Sequence, residues 1–375
     1  TKQLDCTYKN MSIYKTRCET AQSLMAQQDL DYLFVAPSAD MYYFTGYAGH
    51  ITERLTLLVI PAHGEIKMLL PDFEAHRLES LATFFTLNTW METDNPYEHL
   101  LDLLGGSANS AIRVGVSDDQ WARFLLGFQN NLPQAKFVIS SIVTGQLRIG
   151  KDDEEIELLR EANQRNDSAF SEFVKSPMIG KTEKELQHEL SGLMLEHGQE
   201  SIAFANPYSG PNSSSPHHTP TDRIVEAGDA VLFDFGGTYK GYYSDTSRTV
   251  VIDHLPKEFE HVYNVVLEAQ QTAIDAICPG VPVGEIDTIA RTYISNAGFG
   301  DYFPHRVGHG VGLNEHEPPY LTGDNQQPLQ EGMCFSVEPG IYLSGRFGVR
   351  IEDTLLVTAT GSERLSNCTR ELLVC

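Results

Sequence analysis

The sequence predicts an α/β protein, of the α+β kind, in which a smaller α/β domain precedes a larger one whose sheet consists of two similar halves backed by helices. Three observations lead there. At 375 residues the chain exceeds what one ordinary core serves, so two domains are the natural division. Helical and strand patterns interleave over the first part. In the second part, one acid-bearing strand occurs twice. Gly228-Asp229-Ala230-Val231-Leu232-Phe233-Asp234-Phe235-Gly236 and Gly332-Met333-Cys334-Phe335-Ser336-Val337-Glu338-Pro339-Gly340 each run from a turn glycine through an apolar strand to an acid, with a glycine two residues later.

The elements follow in order. Tyr14 to Gln28 has a helical pattern, and the apolar run Tyr32 to Ala36 reads as a strand. Tyr42 to Tyr47, rich in aromatic residues, reads as another. Leu55 to Ile60 and Ile66 to Leu70 complete a meander around the turn Pro61 to Glu65. Periodicity fades and charge rises over Gly145 to Asp153, which divides the chain into residues 1–145 and 152–375. Glu154 to Lys175 carries apolar residues at helical spacing, and Thr182-Glu183-Lys184-Glu185 has the form of a capping box opening a helix that ends near Gly198. Two further helices are expected after Pro256 and over Val283 to Ala297, separated at Pro279-Gly280. Val349 to Thr354 reads as one strand, whose alternation puts Arg350, Glu352 and Thr354 on one face. Arg350 is then placed to orient the Glu352 carboxylate.

Composition narrows the function. A net charge of −24 repels nucleic-acid backbones and anionic membranes, so neither is expected as a partner. No apolar run approaches the roughly 20 residues that cross a bilayer. Residues 1–5 resemble neither signal nor transit peptide, and the expectation is a cytoplasmic protein. Six scattered cysteines (Cys6, Cys18, Cys278, Cys334, Cys368 and Cys375) form no C-x-x-C motif and read as reduced thiols.

The chemistry lies in the acids. Asp245 follows Asp234 through a glycine-rich hairpin, Glu352 follows Glu338, and His309 stands between the two halves. Any one of these acids alone would be an ordinary turn or edge residue, and a lone histidine is more often structural. The repeat, which places Glu338 on Asp234 at an offset of 104 residues, sets them apart. Four carboxylates and one imidazole suit two divalent cations, Mn(II), Co(II) or Zn(II). Such a pair holds a bridging hydroxide at neutral pH and polarises a carbonyl, which points to hydrolysis.

Around these residues the chain resembles the pita-bread metallopeptidases, in the branch of prolidases and Xaa-Pro aminopeptidases. The resemblance rests on Phe233-Asp234-Phe235-Gly236, Ser244-Asp245-Thr246-Ser247-Arg248-Thr249, Gly308-His309-Gly310-Val311-Gly312, Val337-Glu338-Pro339-Gly340 and Val349-Arg350-Ile351-Glu352-Asp353. It covers residues 150 to 375; residues 1 to 145 are similar, through weaker motifs, to the family's amino-terminal domain. It implies a pita-bread catalytic domain with an internal pseudo-two-fold repeat. It also implies two divalent metals per subunit, manganese before cobalt or zinc. Asp234 would chelate one metal, Asp245 and Glu352 would bridge both, and His309 and Glu338 would hold the other.

By the same resemblance Glu338 is the proton shuttle, His217 steadies the substrate, and His316 stabilises the tetrahedral intermediate or the leaving nitrogen. His218 reads as a bystander. Arg54, in Gly49-His50-Ile51-Thr52-Glu53-Arg54-Leu55, is expected to meet a dipeptide's terminal carboxylate, and an ordinary surface pair with Glu53 is the alternative. His305 and Arg350 complete the expected substrate-side residues. The implied reaction is hydrolysis of Xaa-Pro bonds at the amino-terminal end of short peptides, by a homodimer, with dipeptides ahead of longer peptides. Xaa-Pro aminopeptidase activity is the alternative. A methionine-type aminopeptidase fits poorly with the long amino-terminal domain. A creatinase-like amidinohydrolase or a non-catalytic binding module fits poorly with five filled ligand positions.

Overall fold

The computed structural model describes residues 2–375, with side chains from residue 13 onward. Thr1 lies outside the described residues, and so do the side chains of residues 2–12, Cys6 and the segment read as free of a targeting signal among them. The chain forms two compact units, Thr1–Arg148 and Ile149–Cys375.

The first unit contains α1 (Lys2–Gln27), β1 (Tyr32–Val35), α2 (Ala39–Thr45), β2 (Leu57–Pro61), β3 (Lys67–Pro71), β4 (Thr86–Trp90), α3 (Pro96–Leu104), β5 (Arg113–Val116), α4 (Ala122–Asn131), β6 (Lys136–Ile139) and α5 (Ser141–Arg148). Its six strands lie in the order β4-β3-β2-β1-β5-β6, with the expected antiparallel meander β1-β2-β3 at the centre. One expected strand is a helix. Residues 42–47 lie in and just after α2, because Ser38 caps it by accepting from the Met41 amide and Gly46 ends it at φ 73°. Local caps outweigh the strand preference of Tyr42, Tyr43 and Phe44.

The second unit begins with α6 (Asp153–Phe173) and α7 (Glu183–Glu196). Both open on capping boxes, Asp152 with Glu155 and Thr182 with Glu185. Then come β7 (Ser201–Ser209), β8 (Ala230–Tyr239), β9 (Tyr242–Tyr243), β10 (Thr246–Val251), α8 (Phe259–Asp275) and α9 (Val283–Asn296). The remainder is β11 (His309–Gly310), β12 (Glu317–Tyr320), β13 (Cys334–Val337), β14 (Gly340–Leu343), β15 (Phe347–Arg350), β16 (Asp353–Thr358) and β17 (Gly361–Arg364). One half-sheet runs β10-β8-β7, and the other runs β12-β11-β13-β16-β17.

The two halves repeat each other in register. Ala230 pairs with Val251 in the first and Cys334 with Leu356 in the second, so the acid strands differ by 104 residues (230 to 334) and their partners by 105 (251 to 356). The halves join through an antiparallel bridge between Ser247 and Glu352, which occupy equivalent positions under that offset. A two-fold relation between the halves requires such a self-pairing. Val349–Thr354 is therefore not one strand. Its first half pairs with β14, its second half with β13, and the chain turns between sheets at Ile351 and Glu352.

Strand alternation explains why the acids face inward. Val231, Phe233 and Phe235 pack with Phe170, Phe173, Leu186 and Leu190 of α6 and α7, so Asp234 points to the opposite face. Phe335 and Val337 pack into the core formed with α8 and α9, which sends Ser336 the other way and leaves Glu338 at the strand's end on that side. Each such buried aromatic or aliphatic side chain contributes roughly 1.5–3 kcal/mol, and that burial fixes the direction of the acids.

Candidate metal centre

The expected ligands arrive from five places. Asp234 lies in β8, Asp245 in the short link between β9 and β10, and His309 in β11. Glu338 lies just after β13, and Glu352 at the crossing between β15 and β16. Two glycines make the approach possible. A Cβ on Gly236 would lie 2.3 Å from the Ser244 carbonyl oxygen, and one on Gly308 would lie 1.9 Å from that of Ser336. Side chains at those positions would push Asp245 and His309 away from the cluster.

Ligand atoms of Asp245, His309 and Glu352 lie within 4.8 Å of one another, and all three residues are buried. His309 Nε2 is 3.5 Å from Asp245 Oδ2 and 3.4 Å from Glu338 Oε1. Nδ1 of the same ring is 3.1 Å from the Gly310 carbonyl oxygen, which accepts its proton and leaves Nε2 as a lone-pair donor. Ser247 Oγ sits between Glu352 Oε2 at 2.7 Å and Asp234 Oδ1 at 3.0 Å, while accepting from Arg350 Nε at 2.8 Å. One hydroxyl proton cannot serve two carboxylates, so one of them keeps a free oxygen facing the cluster.

Arg350 does not pair with Glu352 as the strand alternation suggested. Its Nη2 lies 2.8 Å from Asp234 Oδ2, and it reaches Glu352 only through Ser247. The crossing between sheets at 351–352 breaks the alternation that would have put the two side chains together.

The charge of this cluster needs a cation. Burial, then Glu352, Asp234 and Glu338, push the Asp245 carboxyl well above the usual range. Burial, then Glu338 and Asp234, do the same to Glu352. Glu338 is pushed from 4.5 up to about 7, chiefly by burial and against the pull of Arg350. His309 is pushed down to about 3 by burial and by His316, so its imidazole is neutral, the form that ligates metals. Of the four acids, only Asp234 has Arg350 within ion-pair distance among the described residues, and the free oxygens and neutral nitrogen form an O/N donor set. That set fits divalent cations.

A stability prediction follows from the signs. A carboxyl whose folded pKa exceeds its unfolded value favours the fold while protonated. That contribution is lost as pH rises, for Glu338 between about 4.5 and about 7. Asp245 and Glu352 act in the same direction. In chelator the melting temperature should fall from pH 5 to pH 8, and excess Mn(II) should remove that fall by binding the ionised cluster. Melting curves that coincide with and without metal at pH 8 would contradict a cation site here.

A cavity of about 660 Å³ opens over the cluster, lined among others by His217, His305, His316, Arg306 and Arg350. The His316 ring stacks on that of His309 with centroids 3.6 Å apart. Arg306 Nη2 lies 3.4 Å from His316 Nδ1; arginine only donates, so the His316 proton sits on Nε2. His217 stands on the cavity wall, exposed. His305 lines the cavity too, but both of its nitrogens are engaged, with the Arg306 carbonyl oxygen at 2.7 Å and Tyr342 Oη at 2.9 Å. Burial and Arg350 push it down to about 3.

Arg54 lies in the first unit, where Nε is 2.6 Å from Glu92 Oε1 and Nη1 pairs with Glu53. Sequence reasoning assigned no role to Ser247, Arg248 or Arg306. Ser247 and Arg248 sit inside the motif around Asp245, and Arg306 sits three residues before His309. Proximity in sequence to a ligand was the signal available for all three.

Residues 157–359 match metallopeptidase family M24, and residues 17–149 match the creatinase/prolidase N-terminal domain. A protein of Mycobacterium bovis named probable dipeptidase PepE is 36% identical over 366 residues, which is 96% of each chain. The prolidase of Thermococcus sibiricus superposes with a TM-score of 0.92 at 34% identity, over 96% of this chain and 99% of that one. The Xaa-Pro dipeptidase of Bacillus anthracis superposes at 0.88 with 28% identity, over 96% and 100%. These likenesses extend through both units, so the repeated half-sheets are those of the pita-bread fold, and the unit before them is the family's amino-terminal domain. The chain belongs to metallopeptidase family M24, whose members are hydrolases that use divalent metals.

Proposed function

We propose that the protein hydrolyses the Xaa-Pro bond of dipeptides, using two divalent cations, Mn(II) before Co(II) or Zn(II), as a cytoplasmic homodimer. The observation that carries this reading is the convergence of Asp234, Asp245, His309, Glu338 and Glu352 at the floor of one cavity of about 660 Å³. That volume falls in the range of small-ligand sites. Among the described residues no helix is long and apolar enough to cross a membrane.

Asp234, Asp245, His309, Glu338 and Glu352 would hold the cations, which when bound supply Lewis acidity and an activated water. The chain's own groups do the rest. Ser247 and Arg350 fix the Asp234 and Glu352 carboxylates in place. Glu338, on the cavity lining and 3.4 Å from His309 Nε2, would be the group that accepts and returns a proton. His316 carries its proton on Nε2 and can donate it as a hydrogen bond toward negative charge developing on the substrate. His217, on the open wall, would steady the substrate. His305 serves through Tyr342, which in turn accepts from Arg350 at 3.1 Å.

A proline nitrogen offers no N–H for extended-peptide docking, so activation of the carbonyl and a shaped cavity suit this bond. The test is a panel of Xaa-Pro dipeptide, Xaa-Pro-Xaa tripeptide and a proline-free dipeptide, each with Mn(II) and after chelation. Metal-dependent cleavage of the Xaa-Pro dipeptide ahead of the others is expected. Faster cleavage of the tripeptide would make the protein an aminopeptidase, and no cleavage with metal bound would overturn the substrate. Sedimentation at micromolar concentration checks the dimer.

A further inference from the structure

The cavity over the acid cluster contains two arginines in different states. Arg350 is ion-paired to Asp234 at 2.8 Å. Arg306 has no carboxylate within ion-pair distance among the described residues. Its guanidinium lies over the Tyr320 ring, 4.4 Å from the centroid, and makes one long hydrogen bond to His316. The ring contact holds the guanidinium's position, and the single bond leaves four of its five N–H donors free.

Arg306 also marks an end of the cavity. With His305 it lines a second hollow of about 630 Å³, walled by Thr288, Ser295 and Thr322. The distances suit a short substrate. In a dipeptide the scissile carbonyl carbon and the terminal carboxylate carbon are three bonds apart, about 4 Å or less. His316 stacks on the candidate ligand His309, and Arg306 stands directly beyond His316. A carbonyl at the acid cluster thus leaves the carboxylate within reach of Arg306. A longer peptide would instead carry an uncharged peptide group there and continue toward the second hollow.

We infer that Arg306 binds the terminal carboxylate of a dipeptide substrate and so sets the preference for dipeptides over longer or amidated peptides. This rests on the Xaa-Pro peptidase reading above. It moves the carboxylate contact away from Arg54, whose guanidinium is already held by Glu53 and Glu92.

The experiment compares kcat/KM for an Xaa-Pro dipeptide and the same dipeptide with a carboxamide terminus, in Mn(II)-loaded wild type, R306A, R306K and R54A. Wild type should prefer the free carboxylate. R306A should lower the acid-to-amide ratio by about 10- to 100-fold, the worth of a charge-assisted hydrogen bond. R306K, which keeps the charge but not the fork, should retain part of the ratio, and it carries the test if R306A does not fold. An equal fall on both substrates would mean that Arg306 only supports His316, which overturns the inference. So would a ratio lost in R54A and kept in R306A, or a wild type without preference. A wild type that cleaves neither substrate defeats the peptidase reading itself, and this inference with it. Cleavage with an unmoved ratio in R306A defeats the inference alone.

Discussion

Asp245→Asn should abolish turnover, by about 10³-fold or more, while making the metal-free protein more stable. The two effects share one cause. Asp245 is buried, and its carboxyl is raised by burial and by four neighbouring carboxylates. The amide has the same shape but cannot carry the charge that divalent cations need, so metal binding and the chemistry depending on it should fail together. In chelator at pH 8 the same change removes a buried carboxyl whose ionised form is disfavoured by burial and by Glu352, Asp234 and Glu338. Relief on the order of 1 kcal/mol is expected, the usual direction when a functional site is neutralised. Metal analysis of the purified variant, kcat/KM on the preferred dipeptide, and melting curves with and without Mn(II) check all three points. A variant that retained two metals and activity would remove Asp245 from the centre. One that lost activity and was also less stable without metal would mean that the carboxylate is held by hydrogen bonds rather than strained by its neighbours.

The convergence of the acids was readable because it depends on local patterns. Each acid sits at a fixed place after a turn glycine, on a strand whose alternate residues must be buried, and the repeat doubles the signal. Fold and family were legible for the same reason. Where local signals conflicted, the reading failed. Tyr42 to Tyr47 has strand-forming side chains, but the Ser38 cap and the left-handed Gly46 make it helical. Both caps are present in the sequence, and here they outweigh side-chain propensity. Other features could not be read at all. Arg350 chooses Asp234 over Glu352 because the chain crosses between sheets at Ile351–Glu352, which only the joining of the two halves determines. Arg306 and Arg54 look alike as surface arginines in the sequence; what separates them is which has a carboxylate beside it in the folded chain.

Arg248→Met should destabilise the protein by about 3–5 kcal/mol, the cost of breaking a buried ion pair from one side. For a unit of this size that corresponds to a fall in melting temperature of about 6–20 °C. The side chain is 2% exposed and its five donors are all spoken for. Nη2 lies 2.6 Å from Asp353 Oδ1 and 2.9 Å from the Cys368 carbonyl oxygen. Nη1 donates to the carbonyls of Ser247 and Glu352 at 2.9 and 2.5 Å, and Nε to that of Thr369 at 2.8 Å. It thus ties together, from behind, the two residues through which the half-sheets join. Many buried ion pairs can be replaced by apolar residues on both sides with little loss. Here that rescue should fail. R248M/D353L removes the carboxylate as well but leaves the buried Glu352 and Cys368 carbonyls without the guanidinium that served them, each costing about 1–3 kcal/mol unless water enters. The double variant should therefore stay well below wild type in stability and bind Mn(II) more weakly, because the backbone beneath Glu352 is no longer held. Denaturant unfolding of the single and double variants decides it. Full recovery in R248M/D353L would show that Arg248 serves only to neutralise Asp353, and that the seam between the two halves holds itself.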